Sequence, residues 1–253
     1  MKILLLQSSL VWENPKLNRQ HFQEKINESV GVDLIVLPEM FSTGFTMNPK
    51  YIAETMQGET VLWMKHLAKF KNAALTGSLV IEENGKYYNR LLFVFPSGEI
   101  KHYDKRHLFT LAGEDKIFTS GNEKLIVNFN DWKICLLVCY DLRFPVFSRN
   151  TEDYDALIYV ANWPESRIFA WDSLLKARAI ENISYVIGVN RVGEDANENR
   201  YNGHSQVIDC LGNYIIAPSE EENVFSAELD KKALLETRQK FGFLNDRDSF
   251  TVV

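Results

Sequence analysis

Short runs of β-branched and aromatic residues recur along the whole chain, and amphipathic helical stretches fall between them. That order constrains the fold more than any other property of the sequence. Strand-like runs occupy residues 2–7, 34–38, 74–82, 87–95, 99–104, 125–129, 133–139, 156–161, 185–191, 205–210 and 222–228. Helical periodicity occupies 17–29, with Phe22 and Ile26 four apart, and 59–70, with Leu62, Leu67 and Phe70 on one side. It returns over 171–181, with Leu174, Leu175, Ala179 and Ile180, and over 231–240, with Leu234 and Leu235. Strand–helix–strand, then hairpins, then strand–helix–strand again implies a layered α/β domain with mixed strand directions. No linker or repeat breaks the 253 residues, so 1–253 reads as a single domain.

Composition excludes several partners. The net charge is −6, which argues against nucleic acid and anionic membranes. No apolar run approaches the roughly 18 residues that span a bilayer. The apolar part of MKILLLQSS is too short for a secretory core and reads as the first strand. Three cysteines, an odd and low count, point to a reducing compartment, the cytoplasm. Cys135 and Cys139 on one strand would sit about 13 Å apart at about 3.3 Å per residue, beyond disulfide reach. None of the histidines His21, His66, His102, His107 and His204 forms a zinc spacing, and the thiol, carboxylate and ammonium chemistry of this chain requires neither a metal nor an organic cofactor.

Several runs stop abruptly on reactive side chains. KICLLVCYDLRFP, residues 133–145, is apolar until Cys139; Tyr140, Asp141 and Arg143 follow at once. DLIVLPEMF delivers Glu39, EIKHYDKRHLF delivers Lys105, and the turn-rich LAGEDKIFTSGNE holds Glu114. Parallel strands place active residues at their carboxyl ends, so Glu39, Lys105 and Cys139 can converge on one rim. A thiol is nucleophilic as thiolate, a carboxylate can take its proton, and an ammonium can hold an oxyanion. Together they suit acyl transfer through a thioester. Singly, each has a plain structural reading. A strand-end cysteine is usually a small hydrophobe, Lys105 beside Asp104 and Arg106 a solvated cluster, and Glu114 a cap for a loop N–H. A Cys–His dyad using His107 or His204 is the rival arrangement.

LPEMFSTGF, YDKRHLF and CYDLRFP, in that order, resemble the nitrilase (carbon-nitrogen hydrolase) superfamily. Glu114 stands nine residues after Lys105, where that family carries a second glutamate. CYDLRFPVFSRN, ANWPESR, AWDSLLKARAIEN and YVIGVNRVGEDANENRYNGHS resemble its bacterial omega-amidase branch. Val146 stands where many superfamily members have Glu, a departure that tracks this branch.

The resemblance implies a four-layer α-β-β-α sandwich with mixed sheets. It also implies hydrolysis of the terminal amide of 2-oxo-dicarboxylic acid monoamides, such as 2-oxoglutaramate and 2-oxosuccinamate. Cys139 is then the nucleophile, Glu39 the general base, Lys105 and the N–H of Tyr140 the oxyanion donors, and Glu114 their partner. The pocket needs a cation for the distal carboxylate; Arg143 and Arg167 are candidates, with Trp163 as a wall. For Arg143 the stronger alternative is a salt bridge with Asp141 that fixes the turn. The substrates are a small amide and water. The resemblance further implies a homodimer, with the C-terminal FGFLNDRDSFTVV as a segment that can reach the partner. The alternatives are another amidase of the superfamily, acting on a carbamoyl or formamide group, or a non-catalytic scaffold of the same fold.

Overall fold

The computed structural model describes residues 1–251. Val252 and Val253, the end of the segment expected to reach a partner, lie outside the described residues. In chain order the strands are β1 (Lys2–Gln7), β2 (Leu34–Val36), β3 (Ala74–Glu83), β4 (Lys86–Val94) and β5 (Ile100–Asp104). They continue with β6 (Leu125–Phe129), β7 (Trp132–Val138), β8 (Ala156–Ala161), β9 (Tyr185–Asn190) and β10 (Val192–Glu194). The last four are β11 (Arg200–Asn202), β12 (Gln206–Ile208), β13 (Tyr214–Ile216) and β14 (Asn223–Glu228). The helices are α1 (Pro15–Asn27), α2 (Glu59–Lys71), the single turn α3 (Pro145–Ser148), α4 (Ile168–Asn182) and α5 (Lys231–Phe241).

Two six-stranded sheets form, in the orders β14-β1-β2-β3-β4-β5 and β13-β12-β9-β8-β7-β6. Each has three parallel strands at its centre, β1-β2-β3 and β7-β8-β9, and antiparallel strands outside them. Alternation along single strands builds the layers, because successive side chains leave opposite faces of a sheet. Ile3, Leu5, Leu34, Val36, Leu91 and Phe93 face the second sheet and share a core with Ile134, Leu136 and Ile158. Their neighbours Leu4, Leu6, Ile35, Leu37, Leu92 and Val94 face the other way, onto Phe22 and Ile26 of α1 and Val61 and Met64 of α2. On the far face of the second sheet lie Trp171, Leu175 and Ala179 of α4 and Leu234 of α5. The result is the α-β-β-α sandwich expected from the resemblance.

Helix details differ from expectation. On α2 the buried stripe is Val61, Met64, Leu67 and Ala68, while Leu62 and Phe70 are exposed. Likewise Leu17, Ile180 and Leu235 point to solvent. Three short strands, β10, β11 and β13, were not expected. Among the described residues no helix is long and apolar enough to cross a membrane.

Candidate functional site

The carboxyl ends of β2, β5, β7 and β8 meet at one rim. Strand β2 ends at Val36, and the chain continues through Leu37 and Pro38 to Glu39, which is wholly buried. Met40 then turns sharply with φ +41°, its N–H held by the Ser78 hydroxyl at 2.8 Å. Strand β5 ends at Asp104, and the N–H of Lys105 donates to the carbonyl of Asn89 on β4 at 3.0 Å. Gly121 packs against this strand end. A Cβ there would lie 2.2 Å from the Asp104 carbonyl oxygen, so only glycine lets the loop pass.

Lys105 sits between two carboxylates and is 1 % exposed. Its Nζ donates to Glu39 Oε1 at 2.9 Å and to Glu114 Oε2 at 2.9 Å and Oε1 at 3.1 Å. The Asn89 amide donates to the same two residues, at 2.8 Å to Glu39 and 3.2 Å to Glu114. Phe109 N–H donates to Glu114 Oε2 at 2.6 Å. Asn162, just past β8, completes the cage: its N–H donates to Glu39 Oε2 at 2.8 Å and its side-chain amide to the Glu39 carbonyl at 2.7 Å. Asn190 at the end of β9 fixes this corner in turn, accepting from the N–H of Trp163 and donating to its carbonyl.

Burial opposes the charge on Lys105, but the Glu114 and Glu39 carboxylates outweigh it and hold its pKa above the ordinary value. For Glu114 the balance falls the other way. Burial raises its pKa and Lys105 only partly offsets that.

The nucleophile candidate arrives from the other sheet. Strand β7 ends at Val138, one residue earlier than expected, and Cys139 opens a 3₁₀ turn, Cys139–Arg143, at φ +45°. A non-glycine residue in that region is strained, and such strain gathers at functional sites. The first N–H groups of a helical turn lack partners within it, so Tyr140 presents its N–H at this point. Helix α4 braces the turn: Arg178 donates to the Leu142 carbonyl at 2.7 Å. Cys139 is half-buried, its sulfur 4.0 Å from the Asn162 carbonyl oxygen, hydrogen-bonded to the Glu39 carboxylate and within the field of Lys105. Burial and then the Glu39 charge push the thiol well above its usual pKa, with Lys105 opposing.

Cys139 and Lys105 open into a cavity of about 600 Å³. Tyr140, Arg143, Trp163 and Arg167 all line it, together with Phe45, Phe109 and a wall formed by Trp12, Glu13 and the segment Asp195–Tyr201. The expected pairing of Arg143 with Asp141 is not formed among the described residues. The Asp141 oxygens take other donors, and the Arg143 guanidinium lies 5.0 Å over the Trp163 ring. Arg167 lies 5.2 Å over Phe109. His107 is bound to Asp141 and His204 to Asp172, so neither forms the Cys–His dyad weighed from the sequence.

Sequence reasoning missed Asn89, Asn162, Asn190 and the Asp195–Tyr201 wall. Asn89 had a signal: it shares a face with Leu91 and Phe93 of β4, both buried against the second sheet, where an amide needs partners.

Comparison with known proteins places this arrangement. The carbon-nitrogen hydrolase family matches residues 3–239. The omega-amidase YafV of Escherichia coli is 45% identical over 251 residues, 99% of this chain and 98% of that protein. The 2-oxoglutaramate amidase of Bacillus subtilis is 33% identical, covering 96% of each. The crystal structure of XC1258 from Xanthomonas campestris, a CN-hydrolase superfamily protein with an arsenic adduct in its active site, superposes with a TM-score of 0.98. It is 42% identical and covers 100% of this chain and 99% of its own. The chain belongs to the carbon-nitrogen hydrolase, or nitrilase, superfamily of enzymes, and within it groups with the omega-amidase branch.

Proposed function

We propose that the protein is an omega-amidase that removes the terminal amide of 2-oxo-dicarboxylic acid monoamides, 2-oxoglutaramate and 2-oxosuccinamate, as acid and ammonia. The observation that carries the reading is the buried Lys105 ammonium shared by Glu39 and Glu114, directly beneath a pocket into which Cys139 opens. The raised thiol pKa means that thiolate forms only as attack proceeds, so a base in contact with the sulfur is required. Glu39 takes the Cys139 proton while the sulfur adds to the amide carbonyl. Lys105 and the Tyr140 N–H hold the oxyanion. Glu39 returns the proton to the departing nitrogen, and ammonia leaves an acyl-thioester. Glu39 then takes a proton from water as the water oxygen adds to the thioester carbonyl, the carbon–sulfur bond breaks, the departing sulfur recovers that proton from Glu39, and the acid is released. Glu114 keeps Lys105 in place and spreads the charge of the pair.

Arg143 and Arg167 supply cations for the distal carboxylate of such a substrate, each guanidinium lying over an aromatic face in the pocket. The name of the Bacillus relative supports the same substrate class. One hydrolase domain working in the cytoplasm as a homodimer, without a cofactor, completes the reading. Light scattering at micromolar concentration tests the assembly.

Ammonia release from 2-oxoglutaramate, 2-oxosuccinamate, glutamine, formamide and a simple nitrile tests the activity, with Cys139→Ala as control. Preference for the 2-oxo amides, lost in the variant, is the expected result. Equal rates on formamide would move the assignment to another amidase of the superfamily. Silence across the panel, with a Cys139 inert to thiol reagents, would favour a scaffold.

A further inference from the structure

The two halves of the site come from different sheets, Lys105 from the end of β5 and Cys139 from the end of β7. Besides the Asn162–Glu39 bonds, one buried carboxylate ties the nucleophile turn itself to the Lys105 segment. Asp141, within the nucleophile turn, is 0 % exposed. Its Oδ2 accepts from the Val138 N–H at 2.9 Å, which pins the turn to the end of β7. The same oxygen accepts from the Tyr103 hydroxyl of β5 at 2.8 Å. Its Oδ1 accepts from the His107 N–H at 3.1 Å and faces His107 Nδ1 at 2.7 Å. A carboxylate ringed by donors only accepts, so Nδ1 carries the proton. Tyr103 and His107 stand two residues either side of Lys105. The Tyr103 oxygen also accepts the Arg106 N–H at 3.0 Å, tying the loop to its own strand. The His107 ring lies flat on Phe144, the residue that ends the nucleophile turn, with centroids 3.7 Å apart and planes 6° apart. His107 therefore grips the turn twice, by a hydrogen bond and by a stack. It is absent from the cavity lining.

We propose that His107 is a positioning residue for this site: through Asp141 it sets the placement of the strained Cys139 turn against Lys105. Its ring touches neither substrate nor thiol. The inference rests on the hydrolase reading, but it can be judged without any amide. A displacement of about 1 Å between reacting groups can cost on the order of 100-fold in rate, so the clamp has a measurable consequence.

Two variants separate its two grips. His107→Phe keeps the stack and removes the donor. His107→Asn removes the stack and keeps an amide N–H close to the place of Nδ1. Two readouts are taken: the second-order rate of Cys139 alkylation by iodoacetamide, and kcat and KM on whichever amide the wild type turns over. His107→Phe is expected to change the alkylation rate by about tenfold and to lower kcat by about 10–100-fold, with KM within about twofold. His107→Asn is expected to recover most of both. If His107→Phe does not fold, Tyr103→Phe, which removes the donor on the other carboxylate oxygen, takes its place with the same expectation for both readouts. Wild-type alkylation and kcat in the donor-deleted variant overturn the proposal. So does an equal fall in both His107 variants that follows their melting temperatures alone. A wild type that hydrolyses no amide in the panel defeats the substrate reading, while the alkylation contrast still decides the role of His107.

Discussion

The two rims that meet at the pocket are built on opposite plans. On the first-sheet side, Glu39, Lys105 and Glu114 are sealed from solvent, and donors within hydrogen-bond distance surround every carboxylate oxygen. On the second-sheet side, Cys139 is half-buried on strained backbone at the start of a five-residue turn. In the proposed reaction Glu39 must pass protons back and forth while the cluster keeps its geometry, which fits a carboxylate pair whose positions are over-determined. The proposed nucleophile has to reach a substrate, and Cys139 stands at a sharp bend in the lining of the cavity. A buried ion cluster tolerates the loss of its cation poorly, whereas a half-buried thiol at the pocket floor can change with little effect on the fold.

Substitutions can break this contrast. The largest effect falls on activity alone. Cys139→Ala should abolish ammonia release, a loss on the order of 10⁴-fold or more, while the melting temperature stays within about two degrees. Substantial residual turnover in Cys139→Ala, or near-wild-type turnover in Cys139→Ser, would remove the nucleophile from Cys139. Lys105→Met should damage both function and fold. It removes an oxyanion donor, worth about 100–1000-fold. It also leaves Glu39 and Glu114 buried without their cation, a loss of about 3–5 kcal/mol by urea unfolding. Normal stability in that variant would mean the cluster is wetter than its exposure implies.

Glu114→Gln sharpens the comparison because it should split the two properties. Burial already opposes the charge on Glu114 and raises its pKa. Ionisation there costs stability as pH rises above the ordinary carboxylate range, so a neutral amide of the same shape removes that cost. The variant should lose about 10–100-fold in kcat and melt no lower than the wild type at pH 7, the pattern of a group kept for function. A clear fall in melting temperature would instead make Glu114 a structural partner of Lys105 first.

The longer strands, and the four candidate residues that the structure gathers at one rim, were legible for local reasons. An apolar run that stops on Glu, Lys or Cys is visible within ten residues, and both parallel triplets are continuous in the order of strands and helices. The cage was not legible because its bonds span the chain. Asn162 meets Glu39 across 123 positions, and Asn89 meets it across 50. An isolated Asn in a sequence reads as a turn residue unless its face in a strand is known. The same limit misdirected Asp141. Arg143, two residues away, looked like its natural partner, but a 3₁₀ turn carries Arg143 toward Trp163 and leaves Asp141 to donors from β5 and its loop. On α2, Leu62 and Phe70 were expected inside, yet the buried stripe runs through Val61, Met64, Leu67 and Ala68, because a spacing of three or four fits more than one face of a short helix.

The smallest effect lies at a second carboxylate cluster, away from the cage and opposite to it in sign. Glu222, just before β14, accepts from Ser8, Ser9 and His21, and Lys25 pairs with it at 3.1 Å. Burial alone would raise its pKa, but the hydrogen bonds from Ser8, Lys25, His21 and Ser9 outweigh it and hold it near about 2. A pKa lower in the folded than in the unfolded chain adds stability above the unfolded value of about 4.3, and that stability drains away as pH falls toward 2. Glu222→Gln should therefore melt below the wild type at pH 7. The gap should hold down to about pH 5 and narrow between pH 4.5 and pH 3. The cluster is partly solvated, so the difference should be no more than about a few degrees and shrink in high salt. A gap that is constant with pH would assign the loss to the geometry of the β1–β14 edge rather than to charge.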